Sequence, residues 1–88
     1  ASNDDSAIGV LSALRQAGLT IPDDMAVTGF DDVQSAQFAT PPLSSVHVPV
    51  SQLGTAAIDL LVSRLNDVQR APQMRTLPVE LRIRGSSK

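Results

Sequence analysis

Asp31 and Asp32 close a short apolar run, Met25-Ala26-Val27-Thr28-Gly29-Phe30, and an acid pair in that place suits only a few chemistries. The run is entered through Pro22-Asp23-Asp24, and its length and composition predict a buried strand of a parallel sheet. Ligands of open α/β sheets collect at the carboxyl ends of the strands, so a carboxylate there is aimed at a binding crevice. The plainer alternative is a loop aspartate that makes a turn or caps a helix. Neighbouring acids can hold magnesium, but adjacent strand residues point to opposite faces, and no phosphate-cradling glycine loop accompanies these two. Nucleophilic catalysis is no better served: His47 is the one histidine, cysteine is absent, and no serine sits in a nucleophile-elbow pattern. The chemistry on offer is binding, with no enzyme activity, metal or cofactor implied, and His47 reads as a surface residue on a short strand.

With 88 residues the chain is at most one small domain, and a chain of that size buries only about 60–65% of its unfolded surface. Its 42% hydrophobic content separates it from a disordered tail, while two phenylalanines without tyrosine or tryptophan leave no stacking platform for nucleic-acid bases. The net charge is −2, with Asp4, Asp5, Asp23, Asp24, Asp31 and Asp32 set against Arg15 in the first half. Arg64, Arg70, Arg75, Arg82, Arg84 and Lys88 follow, spread over a helix end, a loop and a strand. They form no stripe, which argues against direct binding of DNA phosphates by this segment. Absence of cysteine permits a reducing compartment, and no apolar run approaches the roughly 20 residues that span a bilayer. The segment is expected to be soluble.

The elements that position the acids can be read on either side of them. Ala7, Ile8, Leu11, Leu14 and Ala17 mark one helical face, Asn3 or Asp4 can cap its start, and Gly18 supplies a left-handed stop, predicting a helix over residues 4–17. Leu19 is placed to fold back on the last turn, and the apolar strand at 25–30 then makes the second half of a βαβ unit. Residues 33–39 have room for one or two helical turns before Thr40-Pro41-Pro42-Leu43, which the prolines hold extended. Residues 44–48 predict a short strand. Pro49 or Ser51 opens a second helix, whose Leu53, Ala56, Ala57, Leu60, Leu61 and Leu65 form an apolar stripe expected to pack in a core. Gly54 within it suggests a close backbone approach. Residues 66–73 are a loop, residues 77–83 alternate as a strand with Pro78 marking an edge, and residues 85–88 are expected to fray.

Taken in order, Asn3-Asp4-x-x-Ala7-Ile8-Gly9, Gly18-Leu19, Ile21-Pro22-Asp23-Asp24, Val27-x-Gly29-Phe30-Asp31-Asp32, Thr40-Pro41-Pro42-Leu43, Gly54 and Leu77-Pro78-x-Glu80-Leu81 resemble the carboxy-terminal part of lactose-repressor-like (LacI/GalR family) transcription regulators. Each motif alone is weak. Their order and spacing, which run nearly end to end, are specific. The resemblance implies a periplasmic-binding-protein-like α/β fold, of which this chain is a parallel-sheet fragment in the order α-β-β-α-β. It implies two subdomains with a small effector, such as a sugar, in the cleft between them, in a cytoplasmic homodimer whose amino-terminal helix-turn-helix headpiece binds operator DNA. Residues 1–88 then correspond to part of the second subdomain, without the headpiece or the first subdomain, and operator DNA is a partner only through that headpiece. The function implied is effector sensing and dimerisation in a regulator, with repression the expected sign. The alternative is a sugar-binding receptor of a transport system, which the Thr40-Pro41-Pro42-Leu43 motif and the terminal strand resemble less.

The family's effector contacts carry over to Asn3 and to Asp31, the first acid of the glycine-aromatic-acid-acid motif. A carboxylate accepts from two hydroxyls at once, and an amide both donates and accepts. Asp4 and Asp32 are read as local caps. Phe30 either stacks on a sugar face or belongs to the core. Val48 and Val50 fall where relatives present polar or aromatic side chains to the effector. Ile8, Leu11, Ser12, Arg15 and Phe38 correspond to a dimer contact, with the alternative that Ile8 and Leu11 face their own core. Because the strands that would flank residues 25–30 are not among these 88, helix faces and sheet edges are left open. The isolated chain is therefore expected to associate in solution, and sedimentation showing a cooperatively folded monomer would contradict that.

Overall fold

Asn3 starts the first helix: its extended backbone leaves the side chain free to turn back, and Oδ1 accepts from the Ser6 amide at 2.8 Å. In this computed structural model, which describes residues 1–88, the elements run α1 (Asp4–Gln16), a 3₁₀ turn (Gln34–Phe38), β1 (Ser45–His47), α2 (Val50–Asn66) and β2 (Glu80–Arg82). They divide into two units, residues 1–48 with 79–88, and residues 49–78.

In the first unit α1 ends as its glycine predicts. Gly18 has φ +79°, its amide donates to Arg15, and Leu19 donates back to Leu14, which together close a Schellman cap. Ala7 and Leu11 lie on the buried face of α1 and pack with Val27, Ala36 and Leu43, flanked by Ile8, Leu14, Ile21, Val33 and Ala39. This is a small aliphatic core, so polar bonds do much of the tying.

Residues 25–30 depart from the expected buried strand. They are joined to the segment at residues 44–47 only by isolated parallel bridges, Thr28 with Ser44 and, just beyond, Asp31 with His47. The Gly29 amide donates to Ser44 (2.9 Å) and the Asp31 amide to Val46 (3.0 Å). The opposite edge receives single bonds from the Ala1 amine to Thr28 and from the Asp4 amide to Phe30, too few for a second ladder. Val27 and Gly29 are buried, whereas Met25 and Phe30 are exposed. The expected α-β-β-α-β order therefore becomes helix, turn, strand, helix, strand. The one continuous ladder is antiparallel, with Ser45 opposite Arg82, Val46 opposite Leu81 and His47 opposite Glu80. The strand expected over 77–83 is reduced to β2, and its apolar residues Val79, Leu81 and Ile83 are all exposed. Residues 40–41 form a bend rather than an extended run.

The carboxyl end is not frayed. Ser86 is fully buried and stands between two backbone segments: Oγ donates to the Val27 carbonyl (2.6 Å) and accepts from the Ser44 amide (2.8 Å). Its own amide and carbonyl bond to Pro42 and Val27. The Ser44 hydroxyl in turn contacts Arg84 and Ser87. A polar terminal sequence reads as fray only because the donor and the acceptor that Ser86 serves lie 42 and 59 residues away.

In the second unit, α2 begins at a proline without a side-chain cap and runs to Asn66, with Asp67 as its C-cap. None of its residues is buried, and Leu53, Leu61 and Leu65 of the expected core stripe are at least half exposed. A Cβ added at Gly54 would meet nothing within 4 Å, so no close approach explains that glycine.

Gly29 has the opposite environment. A Cβ there would run into the Asp4 carboxylate and lie 3.2 Å from both the Asp4 Cα and a Leu43 methyl. Both obstacles are buried and cannot swing aside. Gly29→Ala is expected to lower stability by about 2–3 kcal/mol, measured by denaturant unfolding. A loss below half a kcal/mol would show that the segment moves freely.

Candidate functional site

The backbone sets the two acids apart. Asp31 has φ +111° and Asp32 φ +58°. The second value lies in the left-handed well that aspartate tolerates; the first lies outside it, and such a conformation costs about 1–3 kcal/mol. The two carboxylates then meet different surroundings.

Asp31 is exposed, and no side chain of the protein bonds to its carboxylate, while its amide is fixed to the Val46 carbonyl. A carboxylate held by its backbone and left with four open lone-pair positions is equipped to accept hydroxyl donors. Asn3 is brought alongside, because the Asp4 amide bonds to the carbonyl of Phe30. Its Oδ1 is committed to the helix cap, so what Asn3 can offer outward is its amide N–H₂. Phe30, 41% exposed, flanks the acid and is not core. Val48 follows β1 and is half-buried in the same unit. Val50 opens α2 in the other unit and is exposed.

Asp32 is turned inward, with its side chain 12% exposed. Oδ1 accepts from Arg84 Nη2 at 2.8 Å, Oδ2 from His47 Nδ1 at 2.9 Å, and its amide donates to Ser45 Oγ at 3.0 Å. It is the node of a network, where the sequence suggested a local cap. Burial alone raises the Asp32 carboxyl pKa; the hydrogen bonds from Arg84 and His47, with their charges, outweigh it and hold the group below its ordinary 3.8.

Asp4 lies behind the pair and is likewise not a helix cap. It is fully buried, with Oδ2 accepting from the Val33 amide (2.8 Å) and Oδ1 from the Ser45 hydroxyl (2.7 Å). Ser45 thus relays from the Asp32 amide to the Asp4 carboxylate. His47, expected as a plain surface residue, is half-buried on Asp32, with no hydroxyl on Nε2. Sequence reading missed Arg84 and Ser45 as part of the site. Arg84 held the last polar place in an alternating strand, and only the pairing of β1 with β2 puts that place beside Asp32.

Of the expected dimer residues, Leu11 is 2% exposed and belongs to its own core, and Ile8 packs beside it. Ser12 and Arg15 lie on the open side of α1, and Phe38 is 74% exposed. An apolar hollow between Leu60, Leu61 and the Arg70–Gln73 loop lies in the second unit and contains no acid.

A periplasmic binding protein-like domain model matches residues 1–87. The chain is 48% identical to the lactose operon repressor of Rhizobium radiobacter over 88 residues, covering all of this chain and 77% of that protein. It resembles the crystal structure of a LacI family transcriptional regulator from Enterococcus faecalis with bound ribose at TM-score 0.89 and 36% identity, covering 97% of this chain and 32% of that one. It also resembles the lac repressor dimer bound to operator and an anti-inducer, at TM-score 0.87 and 30% identity over 98% of this chain and 30% of that one. The chain thus spans about a third of each of these two solved chains.

The Asp32 network generates a pH dependence with a definite sign. A carboxyl whose folded pKa lies below its unfolded value contributes stability above 3.8, and that contribution is lost as pH falls through the lower folded value. Asp32→Asn should therefore lower the melting temperature at neutral pH and flatten the acid limb below about pH 4. Parallel acid limbs for the two proteins would contradict the role given to Asp32.

Proposed function

Because the chain belongs to the periplasmic-binding-protein-like domain of the lactose-repressor family of transcription regulators, we propose that residues 1–88 are part of an effector-sensing and dimerisation domain for a small polyhydroxylated ligand. Asp31 is the observation that carries this reading. Its carboxylate is exposed, free of protein partners and held in an uncommon backbone conformation at the end of a pairing segment, and strain of that kind gathers at binding sites.

In this reading Asp31 accepts from two hydroxyls of the ligand, and the Asn3 amide N–H₂ donates to a third oxygen. Phe30 offers its exposed face as an apolar wall to a sugar ring, with Val48 of the same unit as an aliphatic neighbour. The structure solved with ribose and the similarity to a lactose operon repressor support a sugar over other effector classes. Two of these relatives are repressors by name and the third a transcriptional regulator, which supports regulation over transport and, with it, a cytoplasmic protein acting on operator DNA through a separate headpiece. The role is binding, not catalysis: His47 is engaged on Asp32, and the Ser45 hydroxyl is committed as a donor to Asp4. No helix is long and apolar enough to cross a membrane. Phe38, with Ser12 and Arg15, is the surface offered to a second copy; Leu11 is withdrawn from it.

The test uses the full-length regulator with D-ribose and lactose as probes. Asp31→Asn keeps the shape and removes the charge, and since hydrogen bonds to charged groups contribute about 1.5–3 kcal/mol, affinity for the active sugar should fall about ten- to hundred-fold. Sugar-induced release from operator DNA should shift by the same factor. An unchanged titration would sink the assignment.

A further inference from the structure

Asp32 carries more bonds than a turn needs, and they arrive from segments far apart in the chain. Arg84 forks: Nη2 holds Asp32 Oδ1 at 2.8 Å, and Nη1 holds the Leu43 carbonyl at 2.7 Å. His47, from the end of β1, takes Oδ2, and Ser45 takes the amide, so every polar group of Asp32 except its carbonyl is pinned. The residue before it sits at φ +111°. An aspartate left to itself would relax from there toward an ordinary well and turn its carboxylate with it. Something must hold it, and the Val46 carbonyl on the Asp31 amide is a single bond.

We infer that Arg84 and His47 are positioning residues for the ligand-binding carboxylate of Asp31, acting through the Asp32 carboxylate that they share. This rests on the Asp31 contact proposed above. The geometry gives the two holders different tolerances. Arg84 has a 21% exposed side chain and holds two acceptors on different segments with two separate nitrogens, a fixed fork that lysine's single ammonium does not reproduce. His47 is 41% exposed on its side chain and anchors only one oxygen, so its removal frees Asp32 without opening a core. The depressed carboxyl pKa of Asp32 agrees with a carboxylate held charged by these partners. Preorganising a binding group in this way improves affinity by avoiding the ordering cost at the moment of binding.

Two readouts on the full-length protein test this, for Arg84→Lys and His47→Ala. The first is the backbone angle of Asp31, from a crystal structure of each unliganded variant. The clamp predicts that φ leaves the left-handed side in both; retention of φ near +111° in both overturns it. The second is sugar affinity by calorimetry with D-ribose and lactose. Each variant should weaken the active sugar about ten-fold, yet change it less than about two-fold when Asp31 is already asparagine, because there is then no charge to position. A merely structural role would lower affinity equally in both backgrounds. That result, or a displaced Asp31 with unchanged affinity, overturns the inference. If Asp31→Asn itself leaves sugar binding intact, the ligand contact fails instead, and the backbone readout still judges the clamp.

Discussion

A fully buried carboxylate, Asp4, joins the first turn of α1 to both sides of the acid pair. Its amide reaches back to Phe30, one oxygen takes the Val33 amide that follows Asp32, and the other takes the Ser45 hydroxyl beneath it. Burying a carboxylate is costly unless donors converge on it, and here one arrives on each oxygen, from two separate segments. Gly29 is part of the same arrangement, since any larger residue would occupy the space that Asp4 fills. The apolar core is small, with Leu43 and Leu11 its largest fully or nearly fully buried members. Polar bonds therefore fix the local geometry that hydrophobic packing alone would leave loose.

From that anchor the two aspartates acquire opposite roles. Asp32 turns inward to Arg84 and His47, and Asp31 is left outward with an unpartnered charge. Both residues hold positive φ angles, and the buried bonds on either side offset the cost. The carboxyl end contributes through the same logic. Arg84 and Ser86 tie the last residues to the segments at 27–32 and 42–44, so the site is assembled from the two ends of the chain and its middle.

Much of this was legible where the signal is local. The Asn3 cap, the Gly18 stop, the start of the second helix and the short strand at β1 each follow from residues within a few positions of one another. The acid pair was legible as a candidate site for the same reason. What failed was long-range. Residues 25–30 have the composition of a buried strand, but burial needs partners on both faces, and Met25 and Phe30 have none here. The stripe on α2 has helical spacing and forms a helix, yet periodicity alone does not say what lies against it. Asp4 was read as a cap because it stands beside one; its true partners are 29 and 41 residues away. Ser86, in a tail that resembles fray, and Arg84, at the end of an alternating strand, were hidden for the same reason.

The division of labour between the two acids is tested most directly by a crystal structure of the intact regulator with its sugar bound. Asp31 should accept from ligand hydroxyls at about 2.5–2.7 Å, the range of charge-assisted O–H···O bonds, while Asp32 stays on Arg84 and His47. A sugar bound with Asp31 in solvent, or one that draws Asp32 away from its two partners, would contradict the assignment.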